Sequence, residues 1–387
     1  MEGRPGRRRR RRVKAPARAA IMDWISGLPD EILHHIMSFL NARQAVQTCV
    51  LSRRWSDLWR TVPCINADFN VFDFIDYQGD DEDYNDEVAF KRFVNRMLEL
   101  RDPATMIDTF WLRYKIWDGY NEYKDSNVDA NRWISHALQK QAMVMEVVVF
   151  SFPLELDHSV FHFMLPEKNW SLKVLTIDDT EFSKANKASI SIPSVTSLTL
   201  SSPENSTPVL KDMALLTTAS VSVKFYTFSY GFDANDLRQC LWSLSGVTDL
   251  EFNYEGTELT FENNLQWCPE FINVVNLTLG QWCLDANFYA LIVFLQNSPR
   301  LEKLTLNLAK CIWKKSPRTV SELMERSFTC EHLKIVEVKC LKDDPQVISV
   351  QDFFASNGMA SVQFHIKHWG QYEEEDELPA FIRYEER

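Results

Sequence analysis

Apolar residues recur along this chain in two rhythms. Near its start, Ile32, Leu33, Ile36, Met37 and Leu40 fall at helical spacing. Leu28-Pro29 opens that run, and a proline suits a first helical turn because its missing N–H is not needed there. Asp30 and Glu31 follow, at the end where the helix dipole favours acids. Asn41 is a natural N-cap for a second helix, in which Ala45, Val46, Cys49 and Val50 share a face. Ser52 can cap a third, carrying Trp55, Leu58 and Trp59. Three such short helices offer more apolar surface than they can bury among themselves, and a unit of about 40 residues is usually too small to be stable alone. Leu28, Pro29, Ile32, Leu33, Val50, Leu51, Trp55 and Trp59 are the surplus. Surplus apolar surface needs a cover. It is either another protein or the rest of the chain.

From residue 87 the second rhythm takes over: an apolar helix, then a short strand of the form Φ-x-x-Φ-x-Φ, with Φ apolar. The clear cases are VMEVVV at 144, LKVLTI at 172, VTSLTL at 195, VTDLEF at 247, VVNLTL at 274, LEKLTL at 301 and LKIVEV at 333. IDTFWL at 107 and MASVQF at 359 are looser, and TASVSV at 218 is degenerate. Starts between 23 and 37 residues apart are the signature of a leucine-rich-repeat solenoid, with a strand and a helix per turn. Alternate strand positions face inward, and stacked neighbours share one core. The intervening helices show matching faces: Phe90, Phe93, Val94, Met97 and Leu98; Leu237, Cys240, Leu241 and Leu244; Phe288, Leu291, Ile292 and Leu295. The fold class expected is α/β, a three-helix N-terminal module followed by an irregular solenoid with a mainly parallel sheet.

Two stretches resemble a known family. Leu28-Pro29-Asp30-Glu31-Ile32-Leu33, Ile36, Leu40 and the run Cys49-Val50-Leu51-Ser52-Arg53-Arg54-Trp55 with Leu58-Trp59 resemble the F-box of plant proteins in particular. Leu333-Lys334-Ile335-Val336-Glu337-Val338, followed by Phe353-Phe354-Ala355-Ser356-Asn357-Gly358, is similar to the C-terminal FBD element of plant F-box/LRR proteins. One departure is Asn41-Ala42-Arg43, where that family more often has a Pro- or Thr-rich turn. Another is the Asn of regular repeats, which is missing after most strands. The resemblance implies a substrate-recognition subunit of a cullin–RING ubiquitin ligase. Its F-box would dock a Skp-type adaptor, and through it the cullin and RING subunits, while the repeats bind a target protein. Carried over residue by residue, Leu28, Pro29, Ile32, Leu33, Ile36, Val50, Leu51 and Trp55 are adaptor contacts or their immediate support, and Trp59 stands at the joint to the repeats. The alternative is a non-catalytic scaffold whose F-box no longer docks.

Organisation along the chain follows: a disordered basic leader at 1–20, the F-box at 21–62, an acidic linker at 63–86, the solenoid at 87–345, an FBD-like terminal repeat at 346–372 and an acidic tail at 373–387. The leader carries nine Lys/Arg against Glu2, so the net charge of −12 divides into +8 there and −20 elsewhere. Its arginine run, Arg7 to Arg12, reads as a nuclear import signal, a weak nucleic-acid tether or a segment without function. An acidic body disfavours nucleic acid as the main partner, since phosphate binding needs a basic face. The linker's acids lack the D-x-[DN]-x-[DN]-G spacing of a calcium loop. No apolar run reaches the length of a membrane span, and the basic start has no apolar secretory core. Eight scattered cysteines without a C-x-x-C pair read as reduced thiols of an intracellular protein of nucleus, cytoplasm or both.

Enzyme constellations are missing from the sequence. G-x-G-x-x-G, G-x-x-x-x-G-K-[ST], H-E-x-x-H and G-x-S-x-G do not occur, and only 11 glycines are present. Asp178-Asp179 sits at a predicted strand end, where turns use Asp. His158 and His162 lack a third ligand, and Cys330-Glu331-His332 beside Cys340 lacks a second spaced pair. His34 and His35 lie inside the first helix. No catalytic residue, cofactor or metal is expected. Target contacts are expected at the strand positions flanking the buried ones, Arg113, Asp178, Ser201, Lys224, Glu251, Asn253, Thr278, Asn307, Glu337 and Lys339, or equally at the loops that end the strands. Their mixed charge suits a protein partner.

Overall fold

The computed structural model describes residues 25, 27–72, 80–115, 123–150, 154–156, 171–178, 180–182, 189–202, 208–225, 234–256, 268–308, 330–359 and 361–369. The N-terminal module is α1 (Asp30–Met37), α2 (Ala42–Gln47) and α3 (Trp55–Leu58). Asn41 caps α2 as its sequence predicts: it accepts the Gln44 N–H at 2.9 Å, and the Gln44 side chain reaches back to the Asn41 N–H at 3.3 Å. The third helix starts later than expected. Arg54 holds its N-cap position, and Ser52 contributes its carbonyl to the Trp55 N–H.

Eleven strands form one sheet in chain order, every pair parallel. They are β1 (Cys64–Asp68), β2 (Thr109–Lys115), β3 (Val144–Phe150), β4 (Val174–Asp178), β5 (Ser197–Ser202), β6 (Thr218–Phe225), β7 (Asp249–Gly256), β8 (Asn276–Gly280), β9 (Lys303–Asn307), β10 (Ile335–Cys340) and β11 (Gln363–His368). Two short parallel pairs flank the sheet, Leu154–Leu156 with Thr180–Phe182 and Ser189–Ser191 with Val209–Lys211. Helices cross back between strands: α4 (Asp80–Leu100), α5 (Tyr123–Gln139), α6 (Ala234–Ser243), α7 (Asp285–Gln296) and α8 (Gln346–Ser356). Helix lengths match the apolar faces read from the sequence; Phe90, Val94 and Met97, and likewise Leu291, Ile292 and Leu295, are buried.

Registry makes the core continuous. One inner row runs Ile65, Phe110, Met145, Leu175, Leu198, Ala219 and on through Leu250, Leu277, Leu304 and Val336 to Phe364. A second runs from Ala67 and Leu112 to Leu306, Val338 and Ile366. A third buried position lies two residues before each of the first ten strands, from Val62 and Ile107 to Leu301 and Leu333. Thus Φ-x-x-Φ-x-Φ is the repeat, and it begins just ahead of the strand. Three segments are offset by two residues from their expected frames. The repeats begin at Ala142, Leu216 and Ser361, not at Val144, Thr218 and Met359. A shift of two keeps every side chain on its face, so runs such as VMEVVVF cannot fix the frame by alternation alone.

The stretch 63–86, expected as a linker, is a correction. Cys64-Ile65-Asn66-Ala67-Asp68 is the first strand, with Ile65 and Ala67 buried, and α4 begins at Asp80 inside the acidic run. Acids at that end of a helix oppose its dipole, so the run starts a helix as readily as it solvates a loop. The leader 1–20 and the tail 373–387 lie outside the described residues.

Strand starts share a second device. The Pro63 carbonyl accepts the N–H groups of both Asp108 and Thr109. Asp108, Met143, Lys173, Thr196, Thr217, Thr248, Val275 and Glu302 repeat that double acceptance toward the next repeat. Hydroxyls add a third donor in the middle: Thr196 Oγ1 to the Lys173 carbonyl at 3.1 Å, Thr217 to Thr196 at 3.0 Å and Thr248 to Thr217 at 3.0 Å. These threonines ladder the repeats at their strand starts.

Candidate interaction surfaces

The N-terminal module divides into a fixed half and an open half. Leu33 and Met37 of α1, with Trp55, Leu58 and Trp59, are buried in the same core that runs through the repeats. The module is tied on by polar contacts as well. Arg43 donates to the Val71 carbonyl at 2.6 Å and lies over the Phe72 ring. Buried Arg101 donates to the Val62 carbonyl at 2.7 Å, and desolvation lowers its pKa to about 10. The Asp102 N–H bonds the Arg60 carbonyl. Helix α2 packs on β1. Trp59 therefore stands at the joint.

The open half carries apolar side chains. Ile32, Ile36 and Phe39 are exposed at i, i+4 and i+7 along α1 and the turn after it. Phe39 is 76% exposed, Val50 83% and Leu51 64%. Arg54 pairs with Asp30, which holds the segment carrying Val50 and Leu51 against the start of α1. Pro29 is exposed, and Leu28 is half-buried against the core. Leu33 and Trp55, at 0% and 4%, offer no surface of their own, so they support this face from beneath. Phe39 and Ile25 are exposed neighbours that the sequence reading missed. For Phe39 the signal existed, because it continues the Ile32–Ile36 spacing.

On the sheet, registry gathers most of the expected target positions into two adjoining outward rows. Arg113, Asp178, Ser201, Asn253, Asn307 and Lys339 share one, with Gly280 between Asn253 and Asn307; Glu251, Thr278 and Glu337 share the next. Lys224 lies further along β6, its side chain outside the described residues. Two positions depart from the expectation of an exposed face: Asp178 and Glu337 are buried. Glu337, 5% exposed, sits between Lys303 Nζ at 3.2 Å and Lys367 Nζ at 3.3 Å. Burial raises its pKa, but the two lysines outweigh that and hold it below the ordinary value. Asn253 leans across β8, and its Oδ1 would lie 2.1 Å from a Cβ on Gly280, so a side chain there would make Asn253 move aside. Lys339 stands over the Trp369 ring, and Asn307 Oδ1 is buried without a partner among the described residues.

Among the described residues no group of three His, Cys, Asp or Glu side chains could hold a metal ion. Burial pushes the Cys240 and Cys268 thiols up to about 12 and also raises Cys64, Cys330 and Cys340, away from nucleophilic thiolates. His34 Nε2 lies 2.9 Å from Thr61 Oγ1, a contact within the joint. His158, His162 and Asp179 lie outside the described residues. No described helix is long and apolar enough to cross a membrane.

Comparison with known proteins supplies the remaining link. The F-box domain family matches residues 25–66. An F-box/LRR-repeat protein of Arabidopsis thaliana is 33% identical over 155 residues, 40% of this chain and 30% of that protein. An F-box/FBD/LRR-repeat protein of the same plant is 30% identical over 199 residues, 49% of this chain and 38% of its own length. The MEIOTIC F-BOX protein MOF of Oryza sativa subsp. japonica is 24% identical over 400 residues, covering 86% of this chain and 83% of that protein. The match thus spans about a third of the two Arabidopsis proteins and most of the rice one. The module that buries Leu33 and Trp55 and exposes Ile32, Phe39 and Val50 is an F-box domain, and the chain's homologues are plant F-box/LRR and F-box/FBD/LRR proteins.

Proposed function

We infer that the F-box docks a Skp-type adaptor and that the chain presents a target protein, held on its repeats, to a cullin–RING ubiquitin ligase. It is a receptor and performs no bond chemistry; the conjugating enzyme brought by the RING subunit carries the ubiquitin. One observation supports this above the rest. Ile32, Ile36, Phe39, Val50 and Leu51 remain exposed although Leu33, Met37, Trp55, Leu58 and Trp59 sink into the repeat core. The fold itself has therefore covered part of the surplus read from the sequence, and what is left needs a partner. The same reading places the protein inside the cell, in nucleus, cytoplasm or both, with no cofactor.

Burying a Leu or Ile side chain contributes roughly 1.5–3 kcal/mol. Replacing Val50 and Leu51 together by Ala, or Leu28 and Pro29 together by Ala, should weaken adaptor binding at least about tenfold, which is about 1.4 kcal/mol. Wild-type protein and purified adaptor should co-elute from a sizing column and the double variants should not. A folded wild type that leaves micromolar adaptor unbound would reject the ligase reading and leave a scaffold.

A further inference from the structure

The outward face of the sheet changes sign along its length. From β3 to β7 its described charged side chains are all acidic: Glu146, Asp178, Asp249 and Glu251. From β9 to β11 they are Lys303, Lys339 and Lys367, with Glu337 buried among them. Between the two halves β8 presents Asn276, Thr278 and Gly280, which carry no charge.

Asp249 and Glu251 are not neutralised by a cation among the described residues. Asp249 accepts from Asn276 Nδ2 at 2.6 Å and Thr248 Oγ1 at 2.8 Å, and Glu251 accepts from Ser220 Oγ at 3.0 Å. These donors orient the carboxylates without cancelling their charge, and among the described residues no cation pairs with either. On the other side Lys303 and Lys367 share the Glu337 carboxylate, and Lys339 stands over the Trp369 ring. Neutral anchoring of one sign beside an excess of the other is what a bipolar partner fits.

We propose that this face binds an extended segment of the target that carries a basic residue and, four positions away, an acidic one. The inference deepens the receptor reading and rests on it. Strands β7 and β10 are three spacings apart, roughly 14 Å at about 4.8 Å each, and four residues of extended chain reach about 13 Å. The basic side chain meets Asp249 and Glu251. The acidic one meets Lys339 and the lysines flanking Glu337. The segment crosses β8 and β9, where Asn253 lies over Gly280.

Fluorescence anisotropy of short labelled peptides against the full chain tests this. One peptide carries Arg and Glu four positions apart in a neutral background, a second carries them adjacent, and a third has Gln at both positions. The first should bind at least about tenfold tighter than the others. Glu251→Lys and Lys339→Glu should each abolish that preference with the melting temperature retained, and Glu251→Gln should weaken it less. Equal binding of the three peptides, or an unchanged preference in the charge-reversed variants, would overturn the proposal. Adaptor co-elution of the same proteins separates the two readings. Peptide preference lost with adaptor binding intact rejects this inference alone. Preference kept without adaptor binding rejects the ligase and retains the bipolar site.

Discussion

Leu33 and Phe39 lie on the same short stretch and do opposite jobs. Leu33 is wholly buried in the shared core, and Phe39 stands in solvent. Leu33→Ala should cost about 2–5 kcal/mol of stability, whereas Phe39→Ala should leave the melting temperature unchanged and weaken adaptor binding several-fold. Thermal melts and adaptor titration of both variants check this, and a destabilised Phe39→Ala with undiminished binding would refute it. Glu337 gives a second test. Its folded pKa lies below the ordinary 4.5, so its contribution is fully present above about pH 4.5 and is lost as pH falls through the depressed value. Glu337→Gln should lower stability at neutral pH and flatten the acid side of the profile; parallel acid melts of wild type and variant would remove that role. Alternation along a strand told which face Glu337 takes. It could not tell depth, because that depends on where the Lys303 and Lys367 side chains lie, one strand away on each side.

At the scale of elements, ten strands were legible because nine carry three apolar positions in a fixed pattern and β11 carries two of them. The remaining strand, β1, was not. Val62-Pro63-Cys64-Ile65-Asn66-Ala67 fits the same pattern, yet Ala67 is a weak apolar signal and an acidic run follows. What lifts this strand into the sheet is long-range: α2 packs upon it and β2 pairs with it. Leu277, in the middle of an inner row, is the place to test the continuity of the core. Leu277→Asp would bury an unpaired carboxylate at a cost of several kcal/mol, and adjoining repeats should lose protection together in hydrogen exchange. Retention of the wild-type melting temperature by that variant would count against a shared core. The F-box helices were legible from caps and spacing, but their division into fixed and open halves was not, since that needs to know which face the repeats occupy.

The whole molecule puts its two surfaces on one continuous core, with Trp59 and Val62 in it and Arg101 bonded to the Val62 carbonyl. On the receptor reading, a target on the sheet would be held at a set distance from the adaptor. The basic stretch 1–20 bears on where this happens. Deleting it from a fluorescent fusion should shift the protein from nucleus toward cytoplasm, and an unchanged distribution would end the import reading. The line of carbonyl oxygens from Pro63 to Glu302 has its own consequence. One atom per repeat fixes the distance between neighbouring strands, so chain length between strands is left free. Ser197 to Thr218 is 21 residues and Cys64 to Thr109 is 45, yet both junctions close the same way. Doubling a flexible loop costs only about 0.6 kcal/mol. A gene with this architecture can lengthen, shorten or replace one loop at a time, and the surface it shows to partners changes while the ruler beneath stays as it was.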